Sequence, residues 1–133
     1  MSPVPAAVPD GRRFVGGWLK TWELDELVDT ATLLTSEVLT NAVLHAPTQL
    51  VLTVARLTGG AQIAVRDGSR LMPPQRRPAQ DATTGRGLHL LSRLASSWEV
   101  SVDDTGKTVR FTLEGKVDPW AAFADPDWSE SEP

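Results

Sequence analysis

Two β-hairpin patterns restrict the possible folds of this chain more than any other feature of the sequence. Each pattern is a pair of short runs with strand-like alternation: Leu50–Leu57 with Gln62–Arg66, and Trp98–Val102 with Thr108–Leu113. Thr58-Gly59-Gly60 joins the first pair, and residues 103–106, which end in glycine, join the second. Short glycine-containing turns between such runs favour antiparallel pairing. The sequence therefore predicts a sheet built largely from two β-hairpins.

Three helices are predicted outside these hairpins, at Arg12–Leu19, Asp29–His45 and Gly87–Ser97. Pro47 ends the second helix, because the residue before a proline is disfavoured in helical geometry. Residues 69–84 contain three prolines and no periodicity, which predicts a loop. Helices that are separate from hairpin-paired strands predict an α+β fold. We expect a two-layer α/β sandwich with helices on one face of a mainly antiparallel, mixed sheet.

Length and composition narrow the class of protein. A chain of 133 residues and 14.4 kDa fits a single domain. The absence of cysteine excludes a disulfide scaffold, a thiol nucleophile and a cysteine-ligated metal. We expect a flexible N-terminal segment at residues 1–10, a folded domain at residues 11–115 and a disordered acidic tail at residues 116–133.

The net charge of −4 is confined to the predicted tail. Residues 116–133 hold five acids and one base, so the first 115 residues balance at 12 acids and 12 bases. A neutral body argues against nucleic-acid binding, which normally requires a basic face. No run has the length and apolar character of a membrane span, and residues 1–13 lack a signal-peptide pattern. A cytoplasmic protein without nucleic-acid or membrane contact is expected.

Three polar residues interrupt the apolar face of the second predicted helix. Glu37, Asn41 and His45 follow one another at intervals of four residues, so they lie on one side of the helix. On a helical wheel this side lies inside an apolar stripe that Leu33, Leu44, Leu34 and Val38 define. Burying an amide or a carboxylate without partners is costly. The three residues are therefore predicted to satisfy one another or to line a cavity; a partly exposed stripe is the alternative.

Three glycine-containing segments point in the same direction. Asp67-Gly68 ends a strand, Gly85-Arg86-Gly87-Leu88 opens a helix, and Gly106-Lys107-Thr108 enters the last strand. Each is, by itself, typical of an ordinary turn or loop. Glycines at a helix start also let backbone N–H groups approach an anion. Between Ser69 and Arg86, four arginines stand against one aspartate, a net charge of +3 that favours the same kind of ligand.

The order and the residues of these segments resemble those of the GHKL (Bergerat-fold) ATPases. Four boxes occur in the family's order: Glu37-xxx-Asn41-xxx-His45, Asp67-Gly68, Gly85-x-Gly87-Leu88 and Gly106-x-Thr108. The small single-domain branch of anti-sigma-factor serine kinases has segments similar to SEVLTNAVLHA, VRDGS, GRGLHLL and GKTVRFTL of this chain. The resemblance extends from about Phe14 to Leu113. The family's first glycine box reads Asp-x-Gly-x-Gly, whereas Gly68 is followed here by Ser69.

The resemblance implies a site for ATP and Mg²⁺. Asn41 matches the Mg²⁺ ligand that bridges the nucleotide phosphates, and Glu37 matches the base that accepts the proton of the attacking hydroxyl. His45 matches a position near the phosphates. Asp67 matches the aspartate that accepts a hydrogen bond from the exocyclic amine of adenine, with Thr108 assisting nearby.

The remaining matches concern the phosphates and the loop over them. Gly68 belongs to the adenine-binding box, and Gly85 and Gly87 would wrap the phosphates. Arg86 would contact the phosphates directly, and Leu88 completes this second glycine box. The loop that precedes Gly85 would be the ATP lid.

The resemblance implies a kinase that transfers the γ-phosphoryl group of ATP to a serine or threonine of an antagonist protein. A sigma factor and its anti-anti-sigma antagonist would be its partners, and a homodimer is compatible with this. The alternatives are a nucleotide-dependent protein-binding module without kinase turnover, the catalytic half of a two-component histidine kinase, and an interaction domain without a ligand. No dimerising helix pair or phospho-accepting histidine segment precedes residue 12, which disfavours the histidine kinase.

Overall fold

In the described part of the chain, helices pack against one antiparallel sheet. The computed structural model describes residues 1–45, 48–69 and 89–115. Its elements are α1 (Ala7–Thr21), a 3-10 turn (Asp25–Leu27), α2 (Val28–His45), β1 (Val51–Leu57), β2 (Gly60–Asp67), β3 (Ser97–Asp103) and β4 (Gly106–Glu114). Residues 89–94 are also helical. In this part of the chain, no helix combines the length and apolar character needed to cross a membrane.

The four strands form one antiparallel sheet in the order β1-β2-β4-β3. Both predicted hairpins are present, since β1 pairs with β2 and β3 pairs with β4. Gly59 closes the first hairpin with φ of +73°, a conformation that glycine adopts without strain. The hairpins join through β2 and β4, in a register that sets Ile63 opposite Phe111 and Asp67 opposite Lys107. The predicted α+β class is confirmed.

One face of the sheet carries the hydrophobic core. Side chains alternate between the faces of a strand, so the odd-numbered positions of β2 and β4 share this face. They supply the buried residues Ala61, Ile63, Val65, Val109, Phe111 and Leu113. Full burial of a side chain as large as Phe111 contributes roughly 1.5–3 kcal/mol. This core holds together the end of β2 and the beginning of β4.

The first helix begins earlier than the pattern predicts. The sequence predicted a start at Arg12, whereas α1 begins at Ala7. Its buried row recurs every four residues and consists of Ala7, Gly11, Val15 and Leu19. Phe14 and Trp18 lie on the exposed side of the helix. Gly11 packs closely on α2, because a Cβ at this position would overlap the Leu39 Cδ1 atom.

The N-terminus is tied to the sheet. The Met1 ammonium donates a hydrogen bond of 2.6 Å to the Leu50 carbonyl, and the Leu50 N–H donates to the Met1 carbonyl at 2.9 Å. The predicted flexible segment, residues 1–10, therefore makes backbone contacts with the residue before β1, and it includes the first turn of α1.

The third helix ends earlier than predicted. The pattern extended it to Ser97, whereas its helical residues stop at 94 and Ser97 already belongs to β3. The Ser96 N–H donates to the Thr112 carbonyl at 2.8 Å, and the Ser96 hydroxyl accepts from the Glu114 N–H at 3.1 Å. These bonds align the chain with β4 and prevent the helix from continuing.

Two glycines of α1 should respond oppositely to alanine. Gly17→Ala should raise the free energy of unfolding by about 1 kcal/mol, because alanine favours a helix and the new Cβ meets no atom within 4 Å. Gly11→Ala should lower it by about 1–3 kcal/mol, because its Cβ would overlap the Leu39 Cδ1 atom. Urea unfolding of both variants measures the difference. Shifts of the same sign would contradict the packing of α1 on α2.

Candidate functional site

The buried face of α2 differs in part from the predicted stripe. Of the four residues that define that stripe, Leu34 and Val38 are buried, whereas Leu33 and Leu44 are 42% and 60% exposed. The fully or nearly buried residues of the helix are Ala31, Leu34, Thr35, Glu37, Val38, Leu39 and Ala42. The helix packs against α1 as well as the sheet, so its core side is centred on Leu34 and Val38. The predicted stripe is therefore confirmed at Leu34 and Val38 and wrong at Leu33 and Leu44, which lie on the exposed side.

The three polar residues of α2 differ in their burial. Glu37 is 8% exposed, Asn41 is half-buried, and His45 is exposed at the last residue of the helix. Glu37 and Asn41 lie on successive turns at the edge of the core face. Glu37 and Asn41 are therefore largely or partly buried, while His45 lies at the surface.

Asn41 carries a buried side-chain oxygen that has no hydrogen-bond partner in the described part of the chain. Among the described residues, two buried side-chain oxygens have no hydrogen-bond partner, Asn41 Oδ1 and Thr35 Oγ1. Leaving a buried acceptor without a donor costs about 1–3 kcal/mol. Thr35 lies within the packed core, whereas Asn41 lies at its edge beside Glu37. An amide oxygen in this position is suited to bind a ligand from outside the chain.

A second polar centre lies where β2 ends and β4 begins. Asp67 and Lys107 are directly opposite each other, and the Lys107 ammonium lies 2.9 Å from Asp67 Oδ2. Both side chains are buried, at 3% exposure for Asp67 and 9% for Lys107. They continue the odd-numbered rows of Val65 and Val109, so they extend the helix-facing side of the sheet. A carboxylate and an ammonium group therefore lie side by side at the rim of the core.

The turn after β2 holds the Asp67 carboxylate in place. Its Oδ1 atom accepts a hydrogen bond from the Ser69 N–H at 2.8 Å, which forms a tight turn without a second glycine. The Gly68 N–H donates to Thr48 Oγ1 at 2.6 Å. Gly106 packs so closely on the Asp67 carbonyl that any Cβ there would overlap it. The departure from the family's first glycine box is thus accommodated by side-chain to backbone hydrogen bonds.

Thr108 does not lie beside Asp67. It is opposite Arg66 in the sheet, and its hydroxyl accepts a hydrogen bond from Arg66 at 3.2 Å on the other face. Arg66 also donates to Asp103 at 3.0 Å, and this bond is the main reason that the pKa of Asp103 lies well below its usual range. The same bond raises the pKa of Arg66. The implied assistance of Asp67 by the Thr108 side chain is therefore not supported by the geometry.

Lys107 is a buried charged residue beside Asp67 that the sequence interpretation did not single out. Strand alternation offered a signal for it, because Lys107 has the same parity as Val109, Phe111 and Leu113, which form the core face of β4. A lysine at the first position of such a row stands out as a charge on an otherwise apolar face. The family's last box does not point to Lys107, because only the flanking Gly106 and Thr108 match it.

Four predicted phosphate-binding residues, Gly85, Arg86, Gly87 and Leu88, lie outside the described residues. The same holds for the predicted lid from residue 70 onward and for the acidic tail at residues 116–133. Their roles remain predictions. Two polar centres can be described: Glu37 and Asn41 on α2, and Asp67, Gly68 and Lys107 at the end of the sheet.

Comparison with known proteins identifies the family. The sequence matches the histidine kinase-like ATPase domain model, HATPase_c_2, over residues 1–113. The chain therefore belongs to the histidine kinase-like ATPases, which confirms the GHKL resemblance. No curated protein sequence matches the chain.

One solved structure supports the fold. The blue-light activated histidine kinase of Erythrobacter litoralis EL346 aligns with a TM-score of 0.54 and 24% identity, over 75% of this chain and 33% of that one. Its histidine kinase domain aligns with a TM-score of 0.49 and 24% identity, over 68% of this chain and 45% of that one. The chain thus spans less than half the length of either structure, and the likeness concerns the fold.

The residues of the site fit ATP and Mg²⁺. Mg²⁺ prefers oxygen ligands and commonly uses few protein ligands beside phosphates and water. The unsatisfied Asn41 Oδ1 is such an oxygen. The Asp67 carboxylate can accept a hydrogen bond from an amine, as the exocyclic group of adenine requires.

Proposed function

We propose that this protein is an ATP- and Mg²⁺-dependent serine/threonine protein kinase of the anti-sigma-factor type. Its family membership supports an ATP-binding, kinase-type activity. The observation that carries the proposal is the pairing of buried Glu37 with the unsatisfied amide oxygen of Asn41 on successive turns of α2. A carboxylate and a hard oxygen ligand at that spacing can serve a hydroxyl nucleophile and a phosphate-bound cation together.

In the proposed reaction, α2 holds the groups that act at the γ-phosphate. Asn41 Oδ1 would bind Mg²⁺, which neutralises charge on the phosphates when bound. The Glu37 carboxylate would accept the proton of the serine or threonine hydroxyl as its oxygen bonds to the γ-phosphorus. The bond to the bridging oxygen breaks, and ADP leaves with the electron pair. His45, at the surface end of the helix, would lie near the phosphates.

The sheet end would hold the base, and the second glycine box would hold the phosphates. Asp67 would accept from the exocyclic amine of adenine, next to the Gly68 turn. Gly85, Gly87 and Leu88 would form the phosphate-binding start of the third helix, with Arg86 contacting the phosphates. This division leaves the chemistry to α2 and the recognition of adenine to β2.

The partners proposed for this kinase are proteins in the cytoplasm. A sigma factor would be its client, and an anti-anti-sigma antagonist would carry the serine or threonine that receives the phosphoryl group. A homodimer is compatible with this arrangement. These assignments rest on the residues of the four boxes, which resemble those of the anti-sigma-factor kinases.

The proposal is tested by transfer of label from γ-labelled ATP. The full chain is incubated with Mg²⁺ and candidate serine-bearing antagonists encoded nearby, and we expect label on a serine or threonine of one of them. The matched control is the same antagonist with that residue replaced by alanine, which should remain unlabelled. Tight, Mg²⁺-dependent ATP binding with no label on any candidate would contradict the kinase and favour a nucleotide-dependent binding module.

A further inference from the structure

Charge balance alone does not explain why Asp67 and Lys107 are buried together. The two groups lie 2.9 Å apart at the rim of the core, and both side chains are almost fully removed from solvent. Moving two charges out of water is expensive, and a well-packed apolar pair of similar volume is often at least as stable. The presence of this buried pair is therefore weak evidence for a role in stability, and a role in ligand binding is considered instead.

Both partners keep unused hydrogen-bonding capacity. Asp67 Oδ1 accepts from the Ser69 N–H and Oδ2 is paired with Lys107, while each carboxylate oxygen can accept two hydrogen bonds. An ammonium group has three donors, and in the described part of the chain Asp67 is the one group that the Lys107 ammonium contacts. An acceptor and a donor thus lie next to each other, both with bonds left to make.

The pair is held rigidly. Asp67 and Lys107 are opposite residues of two hydrogen-bonded strands, so their backbones cannot shift independently. The backbone of Gly106, the residue before Lys107, lies directly against the Asp67 carbonyl. Groups fixed by a sheet recognise a ligand more selectively than groups on a loop, because less ordering is needed on binding.

This arrangement matches one edge of adenine. The exocyclic amine of adenine is a donor, and its ring N1, one carbon away, is an acceptor. Guanine presents the reverse order on the same edge, with a carbonyl oxygen and an N1–H. We infer that Lys107 is a second base-reading residue, whose ammonium donates to N1 of adenine while Asp67 accepts from the amine. This inference rests on the proposed function, because it concerns the base of the same bound ATP.

Replacement of one atom of the nucleotide tests the inference. In 1-deaza-ATP a C–H group takes the place of N1, and the exocyclic amine remains. Hydrogen bonds to a charged group contribute enough that the wild-type protein should bind 1-deaza-ATP about tenfold more weakly than ATP, or weaker still. Titration calorimetry with Mg²⁺ present measures both affinities on the full chain.

Two lysine variants complete the test. Lys107→Met should weaken ATP binding to the level of 1-deaza-ATP and remove the difference between the two nucleotides. Lys20→Met, at the exposed end of α1, is the matched control and should keep the tenfold difference. Circular dichroism checks that the variants fold. The comparison on wild-type protein needs no variant, so a failure of Lys107→Met to fold leaves the test intact.

The outcomes separate the two claims. If wild-type protein binds ATP and 1-deaza-ATP equally, or if the difference persists in Lys107→Met, Lys107 does not read N1, while nucleotide binding stands. If wild-type protein binds neither nucleotide, the proposed ATP site itself is wrong, and the role of Lys107 is overturned with it.

Discussion

Asn41→Ala should abolish Mg²⁺-dependent ATP binding while the protein remains folded. If Asn41 Oδ1 is a Mg²⁺ ligand, its removal should weaken binding at least as much as the loss of a supporting contact, about a hundredfold. The stability should change little or in the opposite direction. Since the oxygen is buried without a partner, its removal relieves an unmet acceptor, and the free energy of unfolding should stay equal or rise by about 1 kcal/mol.

The opposite signs distinguish a binding role from a structural one. Titration calorimetry with ATP, in the presence and absence of Mg²⁺, measures the first effect, and urea unfolding measures the second. Leu44→Ala is the control, because Leu44 is an exposed residue of the same helix, and it should alter neither quantity appreciably. Unchanged Mg²⁺-dependent affinity in a normally folded Asn41→Ala protein would remove Asn41 from the proposed metal site.

The strands were the most predictable part of the fold. Alternation and turn glycines identified both hairpins, and every observed strand end lies within about two residues of the predicted one. The order β1-β2-β4-β3 was not predicted, because the pairing of β2 with β4 joins residues about 50 positions apart. Such a pairing depends on packing against the helices, which no local pattern records.

The helices were harder to orient. For α2, the sequence identified the element, its polar residues and the buried Leu34 and Val38, but it also placed the exposed Leu33 and Leu44 in the apolar stripe. A helix that contacts both another helix and a sheet has apolar residues over much of its circumference, so periodicity alone does not identify its buried centre. The row of α1 was missed for a related reason, since Ala7 and Gly11 are small and add little to a hydrophobic pattern.

The sequence predicted most of the polar residues, but it did not identify which face of β4 lies beside Asp67. The sequence identified Glu37, Asn41 and Asp67, and the structure gives each a buried or half-buried position. On β4 the motif comparison selected Thr108, one residue away from the position that faces Asp67. A shift of one residue in a strand moves a side chain to the opposite face, so parity decides which neighbour belongs to the site. The core residues Val109 and Phe111 set that parity, and they assign Lys107.

Glu37→Gln should retain ATP and lose phosphotransfer. The substitution keeps the volume of a side chain that is 8% exposed, and it removes the carboxylate that would accept the proton of the attacking hydroxyl. Positioned bases typically contribute about 10²–10⁴-fold to rate, so transfer of label to the antagonist should slow by that factor. ATP affinity measured by calorimetry should remain close to that of wild-type protein, because Glu37 is not assigned to the nucleotide.

The control for this variant is a carboxylate on the other side of the molecule. Glu99 pairs with Arg110 at 2.8 Å on the sheet face opposite the site and is largely exposed. Exposed ion pairs contribute little to stability, so Glu99→Gln should bind ATP and transfer phosphoryl groups at wild-type rates. Full activity of Glu37→Gln would show that another group takes the proton. Loss of ATP binding together with activity would assign Glu37 to the architecture of α2, because a base is required for transfer and not for binding.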